Sequence, residues 1–94
     1  MITDSILDLI GNTPLLRLQR LESGLCELLL KLENHNPGGS IKDRVALAMI
    51  NEAERRGELR PGGTLIEASA GNTGLGLALV ASLRGYKLIL VVPD

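Results

Sequence analysis

The sequence predicts an α/β fold, a parallel sheet with helices on both faces. Three observations carry this. Apolar runs of strand length alternate with stretches of helical periodicity, Gly and Pro clusters separate them, and the strand-like runs are apolar on consecutive residues rather than alternate ones. A strand, helix, strand, helix, strand order implies right-handed crossovers within one sheet. At 94 residues there is room for one small core and no second domain.

Taken in order, Asp4 to Ile10 predicts a helical turn or two. Gly11, Asn12 and Pro14 then punctuate a turn into a short extended segment, Leu15 to Leu18. "LCELLLKLE", Leu25 to Glu33, reads as a strand buried on both faces, which places the single cysteine, Cys26, in the core. "NHNPGGS" is a loop. A first helix is expected from Ile41 to about Arg56, with Ile41, Val45, Met49 and Ala53 on one face, joined by Ala46 and Ala48. Glu52 and Arg56 stand four apart as an ion pair on that helix.

"RGELRPGG" ends the helix. Thr64 to Ser69 is a second strand, "AGNTG" a tight loop, Thr73 to Leu83 a second helix and Lys87 to Pro93 a third strand. The second helix is apolar nearly all round, with Gly74, Gly76 and Ala78 permitting close approach, so it is expected to be buried.

Composition narrows the function. The chain has one Tyr and no Phe or Trp, so it offers no base-stacking surface, and its net charge of −1 with interspersed signs gives no basic patch for nucleic acid or a membrane. One cysteine precludes a disulfide within the chain, and no Cys/His cluster has metal-ligand spacing. The N-terminus lacks a signal-peptide pattern and no apolar run has bilayer length, which makes the cytoplasm the expected compartment. A small molecule or another protein chain is the expected partner.

Two loops carry chemistry. In "NPGGSIKDR", Ser40 reads as a helix cap, Asp43 as its capping-box partner, and Lys42 lies in the first helical turn, where the helix dipole disfavours a cation. A lysine fixed there suits a phosphate contact, a general base or an imine-forming amine; the last two need some neutral amine, which burial and a helix head both favour, and a solvated surface lysine is the alternative. Asp43 and Arg44 read as capping and ion-pairing residues, and His35, the lone histidine, as a loop residue without a chemical role. In "SAGNTG", backbone N–H groups between Ala70 and Gly74 can converge at the second helix's positive end as an anion seat, with Ser69, Asn72 and Thr73 adding donors; a plain capped turn is the alternative. "GNTGLG" is not the dinucleotide fingerprint and "GGSIKD" is not a P-loop. Both loops follow strands, so one sheet edge is expected to present amine and anion seat together, as an amino-acid substrate would need.

"IGNTPLLRL", "KLENHNPGGSIKDR" and "IEASAGNTGLGLAL" closely resemble, in order and spacing, the N-terminal segment of the cysteine synthase and cystathionine β-synthase family. These are pyridoxal-phosphate enzymes of fold type II, the tryptophan-synthase β-type fold. The resemblance spans almost the whole chain. It implies that Lys42 binds pyridoxal 5'-phosphate as an imine and later moves the substrate's α-proton. It also implies that Ser69, Gly71, Asn72 and Thr73 hold the substrate carboxylate, with Asn72 reaching the cofactor's 3-hydroxyl. The family loop is usually Thr-Ser-Gly-Asn-Thr-Gly; here Ser69 stands for the threonine and Ala70 for the hydroxyl-bearing residue.

The implied reaction is β-replacement on L-serine or an activated serine by a thiol or sulfide, in a protein that the family suggests is a homodimer. "NPGGSIKDR" and "GNTGLGLAL" lean toward cystathionine β-synthase, with homocysteine as thiol, over cysteine synthase, with O-acetylserine and sulfide. A dehydratase of the same fold gains from "SAGN" and loses more from "NTG". A different class of reading is a non-catalytic α/β fragment or binding module. The family's phosphate cup and the partner of the pyridine nitrogen normally lie downstream. Residues 1–94 are therefore expected to be the N-terminal portion of a longer catalytic domain, cut after the strand at 87–93 and inactive by themselves.

Overall fold

The computed structural model describes residues 2–20, 24–69 and 71–93. A short 3₁₀ helix, Ile6–Leu9, opens it, capped by the Ser5 hydroxyl on the Leu7 N–H. Asn12 adopts a left-handed conformation (φ 48°), which asparagine tolerates better than most residues, and turns the chain into β1, Leu15–Arg17. β1 pairs antiparallel with β2, Leu29–Lys31, in the register Leu15–Lys31, Leu16–Leu30, Arg17–Leu29.

The strand expected over Leu25 to Glu33 thus shrinks to three residues, all exposed. Its pairing with the nearby β1 takes it out of the parallel sheet. Residues 24–26 belong to the turn and bend that precede β2, so Cys26 is exposed rather than in the core.

Helix α1 spans Lys42–Arg55, β3 Thr64–Ala68, α2 Asn72–Arg84 and β4 Lys87–Val91. β3 and β4 pair in parallel, in register from Thr64–Lys87 to Ala68–Val91. The parallel sheet among the described residues is therefore two-stranded, with α2 packed against it and α1 packed against α2. Among the described residues, Leu65 and Leu88 pack toward the core, while Ile66 and Ile89 on the opposite face of this sheet are exposed.

The core is aliphatic, made of Ala46, Ile50, Leu59, Leu77 and Val80, with Leu7, Ile10 and Tyr86 packed at its edge. On α1 the buried stripe is Asp43, Ala46 and Ile50; of the expected face Ala46 is buried and Ala53 packs against the core, whereas Ile41, Val45 and Met49 are exposed. A helix that meets neighbours along one line buries the residues on that line, and α2 lies along the Ala46 side. The expected burial of α2 holds for Gly74, Gly76, Leu77, Val80 and Ala81, whereas Leu75 and Leu83 are exposed. Gly85, at φ 78°, ends α2 in the left-handed cap conformation that a side chain would strain.

Candidate functional site

The expectation of one sheet edge presenting both loops needs a different physical basis, because β2 and β3 belong to different sheets. Helix packing supplies it. A Cβ at Gly76 would stand 2.8 Å from the Lys42 carbonyl oxygen and 3.1 Å from the Ala46 Cβ. At the other end of the pair, Arg84 donates to Glu54 at 2.6 Å and to Asn51. The contacts run in the same direction along both chains, so α1 and α2 point the same way. Their N-terminal ends lie side by side.

Both ends carry partial positive charge. Lys42, at the head of α1, is exposed, so of the two features that would favour a neutral amine the structure supplies the helix head and not burial. The Ser40 hydroxyl accepts from the Lys42 N–H at 3.1 Å, the capping role expected of it. Asp43 does not close the capping box on Ser40. Its buried carboxylate instead accepts the Gly38 N–H through Oδ2, and Oδ1 packs over the Gly38 Cα without a hydrogen bond among the described residues. No side chain could stand at Gly38 without displacing that carboxylate.

At the head of α2, the Ser69 hydroxyl accepts from the N–H groups of Gly71 (3.3 Å) and Gly74 (3.2 Å). Two donors expected in the anion seat are therefore committed to a cap. The Asn72 and Thr73 N–H groups lie in the first turn, where a helix supplies no backbone acceptor. Gly71 and Asn72 are exposed and Thr73 half-buried, so the seat is narrower than expected and faces solvent. The replacement at Ala70 lies outside the described residues.

A polar network missed by the sequence reading lies beside Lys42. Arg44 Nε donates to Glu33 Oε1 at 2.6 Å, and its Nη2 reaches Glu33 Oε2 and the Thr13 hydroxyl, each at 3.2 Å. Thr13 also donates to Glu33. The Asn36 amide donates to the Glu33 carbonyl at 2.8 Å and carboxylate at 3.2 Å, and accepts the Gly11 N–H at 2.8 Å. Thr13 and Asn36 are buried. The Arg44 guanidinium, then the Thr13 hydroxyl, hold the Glu33 carboxyl down from 4.5 to about 2. Arg44 is thus the ion-pairing residue expected, and the signal for its partner was an acid and a base placed on either side of the glycine loop. His35 is exposed on a 3₁₀ helix, Glu33–His35.

Among the described residues no group of His, Cys, Asp and Glu side chains could hold a metal, and no helix is long and apolar enough to cross a membrane.

The fold and paired helix heads define a class that comparison makes explicit: residues 6–94 match the family model described as pyridoxal-phosphate dependent enzyme, and the chain belongs to that family. It is 59% identical over 91 residues to cysteine synthase B of Pseudomonas aeruginosa, covering 96% of this chain and 30% of that protein. To cystathionine beta-synthase of Rattus norvegicus it is 54% identical over 96 residues, covering 99% of this chain and 17% of that one. The solved structure of a hydrogen sulfide-producing enzyme from Fusobacterium nucleatum superposes with a TM-score of 0.95 at 47% identity, covering 100% of this chain and 31% of that one. The chain thus spans under a third of each of these relatives.

The residues present fit the family's cofactor: an exposed primary amine stands at the head of α1, and the helix packed against it, α2, opens with residues Gly71 and Asn72 that are exposed to solvent. An anionic, aldehyde-bearing molecule is suited by both features.

Proposed function

We propose that the protein carrying these residues is a pyridoxal-phosphate dependent β-replacement enzyme of the cysteine synthase type, joining an activated serine to sulfide. The observation that supports this is the packing of Gly76, one turn into α2, on the backbone carbonyl of Lys42, which brings the helix that carries the amine against the helix that carries the proposed carboxylate seat. The motifs "NPGGSIKDR" and "GNTGLGLAL" by themselves lean to cystathionine β-synthase. The higher identity to cysteine synthase B supports the reverse order.

Lys42 and Asn72 are the residues of this chain that would hold the cofactor, which when bound supplies an aldehyde that takes up amines and a ring that accepts electrons released at the substrate's Cα. Lys42 would hold the cofactor through its amine and, when that amine is free, would take the proton from the substrate's Cα. The Asn72 and Thr73 N–H groups and side chains hold the substrate carboxylate, and so turn the Cα–H bond toward Lys42. Ser69 shapes the seat by capping it. The substrates are small molecules: an amino acid and sulfide or a thiol.

The test is product formation by the intact holoprotein with O-acetylserine plus sulfide, and with serine plus homocysteine. Turnover of the first pair, and loss of the visible absorbance of lysine-bound cofactor in Lys42→Ala, are expected. Cystathionine as the faster product would restore the second reading, favoured by 99% coverage of this chain in the Rattus norvegicus relative. Absence of the absorbance band in the cofactor-incubated protein would leave a non-catalytic module.

A further inference from the structure

One cluster of charged and buried polar side chains takes no part in the chemistry above. Glu33 stands at the start of the segment that leads to Lys42, and Arg44 stands two residues beyond it. Their ion pair at 2.6 Å therefore closes the loop 34–43 on itself. The same carboxylate accepts from the buried Thr13 hydroxyl and from the buried Asn36 amide. Asn36 in turn holds the Gly11 N–H, and Lys31 Nζ donates to the Thr13 carbonyl at 2.8 Å.

A glycine-rich loop ahead of a helix has many conformations available, and each freely rotating residue dilutes the productive placement of the amine that follows. Here one side chain fixes the loop from before, from after and from a separate turn of the chain. The fixing is through backbone and helix, since among the described residues no hydrogen bond or ion pair joins Glu33 to Lys42 itself, whose N–H is held by Ser40. An exposed Glu–Arg pair contributes little, but this one is partly shielded, bidentate and tied to two buried polar groups.

We propose that Glu33 is a positioning residue for Lys42: with Arg44, Thr13 and Asn36 it clamps the loop 34–43 so that the Lys42 amine is presented to the cofactor's aldehyde. The proposal rests on the assignment of Lys42 as the cofactor-bearing lysine.

The experiment is a double-mutant cycle on the intact protein, reading the apparent Kd for pyridoxal phosphate by titration, with far-UV circular dichroism as a check on folding. Glu33→Gln is measured alone and in the Lys42→Ala background. Positioning requires that Glu33→Gln weaken binding about fivefold or more when Lys42 is present and leave it unchanged when Lys42 is absent. Equal weakening in both backgrounds would mean a general defect of the site, and no weakening in either would mean an idle network; each overturns the proposal. Should Glu33→Gln fail to fold, Thr13→Val replaces it in the same cycle, with Thr13→Ser expected to restore wild-type affinity. Failure of the parent assignment is distinguishable, because Lys42→Ala by itself would then retain the absorbance of lysine-bound cofactor.

Discussion

The region around Ala46, Ile50, Leu77 and Val80 is held by aliphatic packing, whereas the region from Thr13 to Asn36, with Arg44, is held by an ion pair and hydrogen bonds. In the first, two helices approach so closely that one position between them admits only hydrogen. In the second, the strands β1 and β2 expose their side chains, and the burial is polar. Lys42 sits where the two regions meet, its carbonyl against the helical region and its loop clamped by the polar one. Packing sets where a helix lies, while directional bonds set how a loop is bent, and an amine on a helix head needs both.

The comparison is broken most severely on the helical side. Ile50→Ala leaves a cavity beneath both helices and should lower unfolding free energy by about 2–5 kcal/mol in chemical denaturation of the intact protein. Next comes Gly76→Ala, where the added methyl meets the Lys42 carbonyl oxygen at 2.8 Å and must push the helices apart. A cost of about 1–3 kcal/mol is expected, together with less cofactor absorbance at equal cofactor concentration; an unchanged spectrum would mean that the adjacency of the helix heads is not what places Lys42.

The polar side is weaker and depends on pH. Glu33 has a depressed carboxyl in the folded state, about 2 against an ordinary 4.5, so its contribution is full above about 4.5 and is lost as the pH falls through about 2. The melting midpoint of wild type should accordingly drop more steeply below about pH 4.5 than that of Glu33→Gln. Parallel acid profiles would show that the clamp adds nothing. The smallest effect is expected at Glu52, whose bonds to Arg55 and Arg56 are solvent-exposed on α1: Glu52→Gln should leave the midpoint within measurement error.

Much of this was legible in the sequence for identifiable reasons. Ser40 capping Lys42, the Glu52–Arg56 pair and the extents of α1, α2 and β3 follow from local rules of periodicity and side-chain reach, and the structure agrees within a residue or two at each end. The three quoted motifs placed the chain in its family, which the match over residues 6–94 bears out. Less legible was anything depending on which elements meet. Leu25 to Glu33 had the composition of an interior strand, but an apolar run does not state its partner, and pairing with β1 made it a short exposed ribbon. Asp43 had the spacing for Ser40, but Gly38 offered its N–H within reach.

What the sequence by itself determined is local and chemical: where helices begin, that Lys42 stands at the head of one and Asn72 at the head of another, and that the intervening loops are glycine-bent. Those are properties of neighbouring residues and need no distant contact. Only the tertiary structure decided that the two heads lie together, because that depends on α1 and α2 running the same way with Gly76 against the Lys42 carbonyl. It also decided that Glu33 and Arg44 close a loop around the lysine, since an acid and a base separated in sequence acquire a relationship only when the backbone brings them within hydrogen-bond distance.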